Sequence, residues 1–142
     1  MRLFEVTDQP LSLDDAMRRL VAPERGGITV FAGTVRGVTG ELQTDYLEYE
    51  AYPEMAEASF AEIAAEAQAR WPDIAGIAVI HRVGRMEVGD VAIVIAVAAA
   101  HRQNTFDACH FVIDRIKEVS PIWKKEVSPG GAMWVEGPES KL

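Results

Sequence analysis

The residues of this chain whose types and positions suit them to chemistry are a small set of cations. Arg36 follows a β-branched run and opens a glycine-containing loop. His101-Arg102 stands between a long apolar run and the start of a helical pattern. Lys117 falls in the last turn of that pattern, and Lys124-Lys125 follows Pro121-Ile122-Trp123. Cations at the ends of elements, rather than in the middle of a face, are placed where side chains from different elements can converge. Together they would form a pocket for phosphate or carboxylate, because guanidinium and ammonium groups make charge-assisted hydrogen bonds to such oxyanions. His101-Arg102 adds the unsatisfied N–H groups and the positive dipole end of a helix N-terminus.

Each of these residues also has an ordinary structural reading. A lysine near a helix C-terminus complements the dipole, which is enough to explain Lys117 by position alone. Lys124-Lys125 beside Glu126 suits a solvated strand edge, where lysines discourage aggregation. Arg36 fits as a loop arginine, and His101 as a cap. His81-Arg82, at the end of another apolar run, is ambiguous, and His110 reads as structural. The aromatic set Phe31, Tyr46, Tyr49, Tyr52, Phe106 and Trp123 reads as core before it reads as a stacking platform.

Other chemistries are poorly supplied. The single cysteine, Cys109, excludes an intrachain disulfide and a cysteine-cluster metal site. It shares a helical stripe with Phe106 and Ile113, so a buried, inert thiol is expected; a reactive one needs an accessible, electropositive position. No His, Asp and Glu set has metal-ligand spacing, no carboxylate pair suggests hydrolysis, and no Gly-Lys-Ser/Thr loop cradles phosphate. Neither a metal nor a cofactor is expected.

The elements that must position the cations are legible from periodicity and punctuation. Leu3 to Val6 alternates as a short strand. Ser12, with Asp15 three residues on, caps a helix to Val21 that has Leu13, Ala16, Met17 and Leu20 on one stripe. Ile28 to Val35 and Tyr46 to Tyr52 read as strands. Pro53 suits the first position of a long helix to about Arg70, on which Met55, Ser59, Ile63 and Ala67 recur. Strands follow at Ile74 to Val83 and Val91 to Ala100, joined through Gly84 to Gly89. A third helix spans about Asn104 to Val119 with Phe106, Cys109, Ile113 and Ile116 inward. A closing hairpin runs from Ile122 to Val135 around Pro129-Gly130-Gly131. The order β-α-β-β-α-β-β-α-β-β predicts one α+β domain over residues 1–142, with a largely antiparallel sheet and three helices.

The whole chain narrows the partners. Its 142 residues carry 14 Lys and Arg against 22 Asp and Glu, a formal net charge of −8, which argues against wrapping nucleic acid. An anionic ligand must therefore find a local basic cluster in an acidic field. Met1-Arg2-Leu3-Phe4-Glu5 meets an acid before any apolar core, unlike a secretory signal. The longest apolar run, Val91 to Ala100, is about half of the roughly 20 residues a membrane span needs. A soluble, cytoplasmic protein without membrane contact is expected.

Taken together, the segments resemble the molybdopterin synthase large (catalytic) subunit family along nearly the whole chain. The matching stretches are Phe31-Ala32-Gly33-Thr34-Val35-Arg36, Leu47-Glu48-Tyr49-Glu50-Ala51-Tyr52 with Met55-Ala56, and His81-Arg82-Val83-Gly84. Val88-Gly89-Asp90, His101-Arg102 with Phe106, Lys117 leading to Pro121-Ile122-Trp123-Lys124-Lys125-Glu126, and Trp134-Val135-Glu136 complete the series. The segment Gln103-Asn104-Thr105 is more polar than the family pattern, and Glu136-Gly137-Pro138-Glu139 brings no arginine to the tail.

The resemblance implies an α/β hammerhead-type fold and a homodimer of large subunits. Each would bind a small ubiquitin-like sulfur carrier, giving a heterotetramer. The carrier's C-terminal thiocarboxylate would enter the pocket and pass sulfur to cyclic pyranopterin monophosphate, forming the dithiolene of molybdopterin. By the same resemblance Lys117 and Lys124 are the essential lysines, and Arg36, His101 and Arg102 help hold the anionic substrate. A pocket that draws residues from both protomers is also implied. The competing readings are a non-catalytic α+β module that binds an anionic metabolite or peptide tail, and a sulfurtransferase that works through an exposed Cys109.

Overall fold

The computed structural model describes residues 2–136. In chain order they form β1 (Phe4–Thr7), α1 (Leu13–Arg18), β2 (Gly27–Thr34), β3 (Val38–Thr39), β4 (Leu42–Gln43) and β5 (Tyr46–Ala51). Then come α2 (Pro53–Arg70), β6 (Ile74–Arg82), β7 (Gly84–Glu87), β8 (Val91–Ala99), α3 (Thr105–Val119), β9 (Ile122–Ser128) and β10 (Gly131–Glu136). The tail segment Gly137-Pro138-Glu139, noted above for its missing arginine, lies outside the described residues. Among the described residues no helix is long and apolar enough to cross a membrane.

Local chemistry sets the helices. The Ser12 hydroxyl accepts from the Asp15 amide at 3.1 Å, the expected cap. The helix it opens stops at Arg18 instead of reaching Val21, because the chain tightens there. Leu20 and Val21 donate to carbonyls three residues back, at 3.0 and 3.4 Å. Pro53 does open α2, but the buried stripe is Ala56, Phe60, Ile63, Ala64 and Ala67, with Met55 64% exposed. A row of every fourth residue drifts by about 40° per step around a helix of 3.6 residues per turn, so steps of three and four must alternate. On α3 the expected stripe holds at Cys109 and Ile116, with Ile113 half-buried against the same core, and fails at Phe106, which is 64% exposed; Thr105, Ala108 and Val112 complete the buried face.

The strands form two four-stranded sheets, ordered β1-β6-β8-β2 and β10-β9-β5-β7, and β3 pairs with β4. Every pairing is antiparallel except β1 with β6. The α+β architecture with three helices and a mostly antiparallel arrangement is therefore as expected. β6 and β8 pair as read, with Val79 opposite Ile95, but their connection holds an unforeseen strand. That strand, β7, leaves the first sheet and pairs with β5 in the second, Met86 lying opposite Leu47.

Helices cover both faces of the first sheet, which is why β8, and β6 as far as Ile80, are apolar rather than alternating. On one face Ile77, Val79, Ile95 and Val97 pack with Phe60 and Ile63 of α2 and Val112 of α3. On the other, Ala78, Ala96 and Ala98 meet Leu20, and Ile80 and Val94 meet Ala16 of α1. Alanines there let a one-and-a-half-turn helix and its following loop lie close to the strands. A third cluster, Val35, Leu47, Met86 and Ala92, joins the second sheet to the ends of β2 and β8. The two sheets thus meet at strand ends, and the functional cavity opens at that junction.

Candidate functional site

A cavity of about 340 Å³ lies where α3 ends over the junction of the sheets. Arg36, just past β2, Lys117 of α3 and Lys124 of β9 all line it. Three of the six cations singled out from the sequence therefore converge from three separate parts of the chain.

The strand pleat decides which lysine of the pair faces in. Successive side chains on a strand alternate between faces, so Lys124 and Lys125 must diverge. Lys124 lies opposite Tyr49, and Lys125 lies opposite Glu48. Lys124 is 9% exposed, its Nζ 3.7 Å from Oε1 of Glu126, which lies two residues on and also lines the cavity. Lys125 stands on the outer face with its Nζ 2.9 Å from Oε2 of Glu48 and above the Trp134 ring. The Glu48 contact holds the Lys125 ammonium above its ordinary pKa. The strand-edge reading thus describes Lys125 and does not describe Lys124.

Helical spacing aims Lys117. Ile113, Ile116 and Lys117 stand at i, i+3 and i+4, one face of α3, and all three line the cavity. Lys117 thus presents an ammonium at the helix C-terminus and to the cavity at once.

His101 and Arg102 do not join this cavity within one chain. Ala92 and Ile93, at the start of β8, line it, whereas His101 follows the end of that strand. Eight strand residues at about 3.3 Å each separate the two positions by roughly 25 Å. Both side chains are exposed at the N-terminal end of α3, where the Arg102 carbonyl accepts from the Thr105 hydroxyl at 2.9 Å.

Sequence reasoning passed over several wall residues. His81 is 5% exposed at the end of β6 and lines the cavity. Its Nδ1 is 2.7 Å from the Arg82 carbonyl oxygen, and its ring meets Tyr49 edge-on with centroids 4.9 Å apart. The available signal was a polar ring closing an otherwise apolar, doubly covered strand, which demands a partner. The expectation that the aromatics are core fails for Phe31, Tyr52 and Phe106, which are 37%, 60% and 64% exposed. Phe31 and Tyr49 instead line the cavity. Phe31 is open because it stands on β2, the sheet's edge strand, facing the cavity. Tyr52 packs edge-on against Trp123, centroids 5.1 Å apart.

Cys109 is buried beneath α3, and burial pushes its thiol up to about 11. A thiol held protonated and covered does not serve as a nucleophile, which removes the cysteine-dependent reading. His110 faces away from the core, its Nε2 3.2 Å from Asp114. Among the described residues no group of three His, Cys, Asp or Glu could hold a metal ion.

Chemically, the arrangement offers, among the described residues, three cations, one carboxylate, an imidazole and two aromatic rings around a partly enclosed space. The chain's net charge of −8 makes this concentration of positive charge a local exception. Preorganised cations in such a space favour anionic reactants and any transition state that gathers negative charge on oxygen.

Comparison with known proteins points the same way. The family model described as MoaE protein matches residues 6–119. A relative from Halalkalibacterium halodurans, named molybdopterin synthase catalytic subunit, is 48% identical over 132 residues, 93% of this chain and 84% of its own. The crystal structure of molybdopterin synthase from Staphylococcus aureus superposes with a TM-score of 0.90 at 38% identity, over 95% of this chain and 98% of that one. A complex of subunits 1 and 2 of molybdopterin-converting factor from Helicobacter pylori shares the fold, with a TM-score of 0.77 at 17% identity, over 94% and 90% of the two chains.

Proposed function

The chain belongs to the MoaE protein family, that of molybdopterin synthase catalytic subunits, and from this premise we propose how its cavity works. It transfers sulfur from the C-terminal thiocarboxylate of a small ubiquitin-like carrier to cyclic pyranopterin monophosphate, forming the dithiolene of molybdopterin. The observation that carries this reading is the convergence of Arg36, Lys117 and Lys124 on one cavity. Both reactants are anions, and cations fixed in advance lower the repulsion of bringing them together.

In this mechanism Lys117 contacts the carrier's terminal acyl group and assists proton transfer, while the cations together stabilise charge on the acyl oxygen. Lys124 and Arg36 hold the phosphate side of the pterin. The sulfur arrives with the carrier, so the covered Cys109 takes no part. A binding module without turnover would account for the cations, but not for membership of a family of catalytic subunits.

The Helicobacter pylori neighbour is a complex of two different subunits, which supports a carrier partner for this chain as well. The proposed assembly is a heterotetramer, built on a homodimer of this chain and working in the cytoplasm. His101 and Arg102 then serve the cavity of the second protomer, because roughly 25 Å of strand separates them from their own. Mixing Lys117→Ala subunits with Arg102→Ala subunits tests this. Mixed dimers would regain one intact site and activity, whereas persistent inactivity would return His101-Arg102 to a role outside the reaction.

The decisive assay is conversion of cyclic pyranopterin monophosphate to molybdopterin by this protein with thiocarboxylated carrier, comparing wild type with Lys117→Ala. Product from wild type and almost none from a folded variant that still binds carrier supports the proposal. No product from wild type with an active, matched carrier would leave the binding module as the better account. Equal turnover by both proteins would keep the enzyme and return Lys117 to completing a helix dipole.

A further inference from the structure

Besides the cations, the cavity wall holds an imidazole for which the mechanism above has no use. A backbone carbonyl can only accept, so the 2.7 Å contact from His81 Nδ1 to the Arg82 oxygen places the ring's hydrogen on Nδ1. Nε2 is then the nitrogen whose lone pair can take a proton. The contact with the Arg82 carbonyl and the edge-on Tyr49 ring, centroids 4.9 Å apart, fix its orientation. Tyr49 in turn lies opposite Lys124 across the β5–β9 pairing, so His81, Tyr49 and Lys124 occupy one wall.

Atom balance creates a need for such a group. This inference rests on the synthase reading. When the carrier's sulfur bonds to the pterin, the carrier remains attached through an acyl–sulfur bond, and water must cut that bond before the carrier can leave. The water oxygen bonds to the acyl carbon while one proton departs. The carbon–sulfur pair then returns to sulfur, leaving a thiolate on the pterin and a carboxylic acid on the carrier, which releases its proton to solvent. The lysines stabilise the oxyanion of this step, and the His81 imidazole beside them supplies a nitrogen lone pair that can accept the water's proton. We infer that His81 is the general base that takes this proton, at Nε2, during hydrolytic release of the carrier.

The test follows acyl cleavage in the complex with thiocarboxylated carrier, by intact mass of the carrier and its pterin conjugate. His81→Asn keeps an N–H donor for the Arg82 carbonyl but removes the accepting nitrogen. It is expected to fold, to bind carrier as wild type does, and to accumulate the conjugate, with cleavage slowed about 100-fold or more. The pH dependence that this base imposes on wild-type cleavage should vanish in the variant. Arg36, Lys117, Lys124, Glu126 and Tyr49 share the cavity, and they remain in the variant, so loss of that dependence assigns it to His81. Added imidazole should restore cleavage to His81→Ala, which a purely structural role would not allow.

In the unaltered protein, cleavage should also slow in heavy water. A rate indifferent to heavy water overturns the inference, as does a folded His81→Asn that turns over like wild type without accumulating conjugate. A wild type that yields neither conjugate nor product with active carrier would overturn the synthase reading and this inference together.

Discussion

Two adjacent lysines give the sharpest test of the site, because the pleat of β9 sends them to opposite faces. Methionine keeps most of the length and packing of a lysine stem and removes its charge, so Lys124→Met and Lys125→Met isolate the electrostatic contribution. Lys124 is 9% exposed in the cavity wall, its Nζ 3.7 Å from Oε1 of Glu126. A unit charge about 4 Å from a reacting anion, at an effective dielectric near 20, contributes about 4 kcal/mol. Removal of one preorganised stabilising group typically costs a reaction about 10²–10³-fold in kcat, or about 2.7–4 kcal/mol. Lys124→Met should lose turnover by that factor. Lys125 is matched to Glu48 at 2.9 Å on the outer face, so Lys125→Met should leave both turnover and melting temperature unchanged. The assay is single-turnover conversion with saturating carrier, with carrier affinity measured separately by calorimetry. Equal impairment of the two variants, or near-normal turnover by a folded Lys124→Met, would refute the inward–outward assignment on which the site is built.

Two further predictions concern the scaffold. Phe60 is fully buried between α2 and the first sheet, so Phe60→Ala should destabilise by about 3–5 kcal/mol and lower the melting temperature by roughly 10–20 °C, read by calorimetry. Cys109, raised to about 11 in the fold, binds its proton more tightly there than in the unfolded chain. The sign is therefore that stability falls as pH climbs through the unfolded thiol's range toward about 11, and is unaffected by this group below it. Wild type should lose stability over that window relative to Cys109→Ala, and its thiol should resist alkylation at pH 8 until the protein unfolds.

The elements were largely legible in the sequence because their punctuation is chemical. Ser12, Pro53 and Pro129-Gly130 mark their boundaries by capping, a missing N–H and turn geometry, all local effects. The face of α2 was misjudged because an every-fourth-residue row ignores the drift that a helix accumulates, whereas the stripe read on α3 alternates steps of three and four and fails only at Phe106, in the first turn. β7 was hidden because Gly84–Glu87 is four residues long and earns its partner, β5, only through the tertiary fold. Within the site, Arg36, Lys117 and Lys124 were found through their positions at element ends. His81 was not, since an imidazole closing an apolar strand looks the same whether it faces a core or a cavity. Phe31 was misread for a related reason: its neighbours in sequence are apolar, but its strand is at the edge of the sheet.

An acidic protein with a cationic cavity poses the question of which field an anionic substrate experiences, and the magnitudes decide it. Eight net negative charges at about 15 Å, the size scale of a domain this long, would repel a unit anion by roughly 2 kcal/mol in unscreened water. Screening over about 8 Å at physiological ionic strength reduces that to roughly 0.3 kcal/mol. Each cavity cation within about 4 Å contributes roughly 1 kcal/mol even at the dielectric of bulk water, and several at a lower one. Local attraction therefore outweighs remote repulsion, and added salt weakens chiefly the attraction. KM for the pterin substrate should rise with ionic strength between about 0.1 and 1 M, where the screening length shrinks from about 10 Å to 3 Å. Arg36→Ala, which removes one exposed cation of the three, should flatten that dependence. A KM that falls with salt would mean that the acidic exterior governs capture, and that the three cations act only after the substrate is bound.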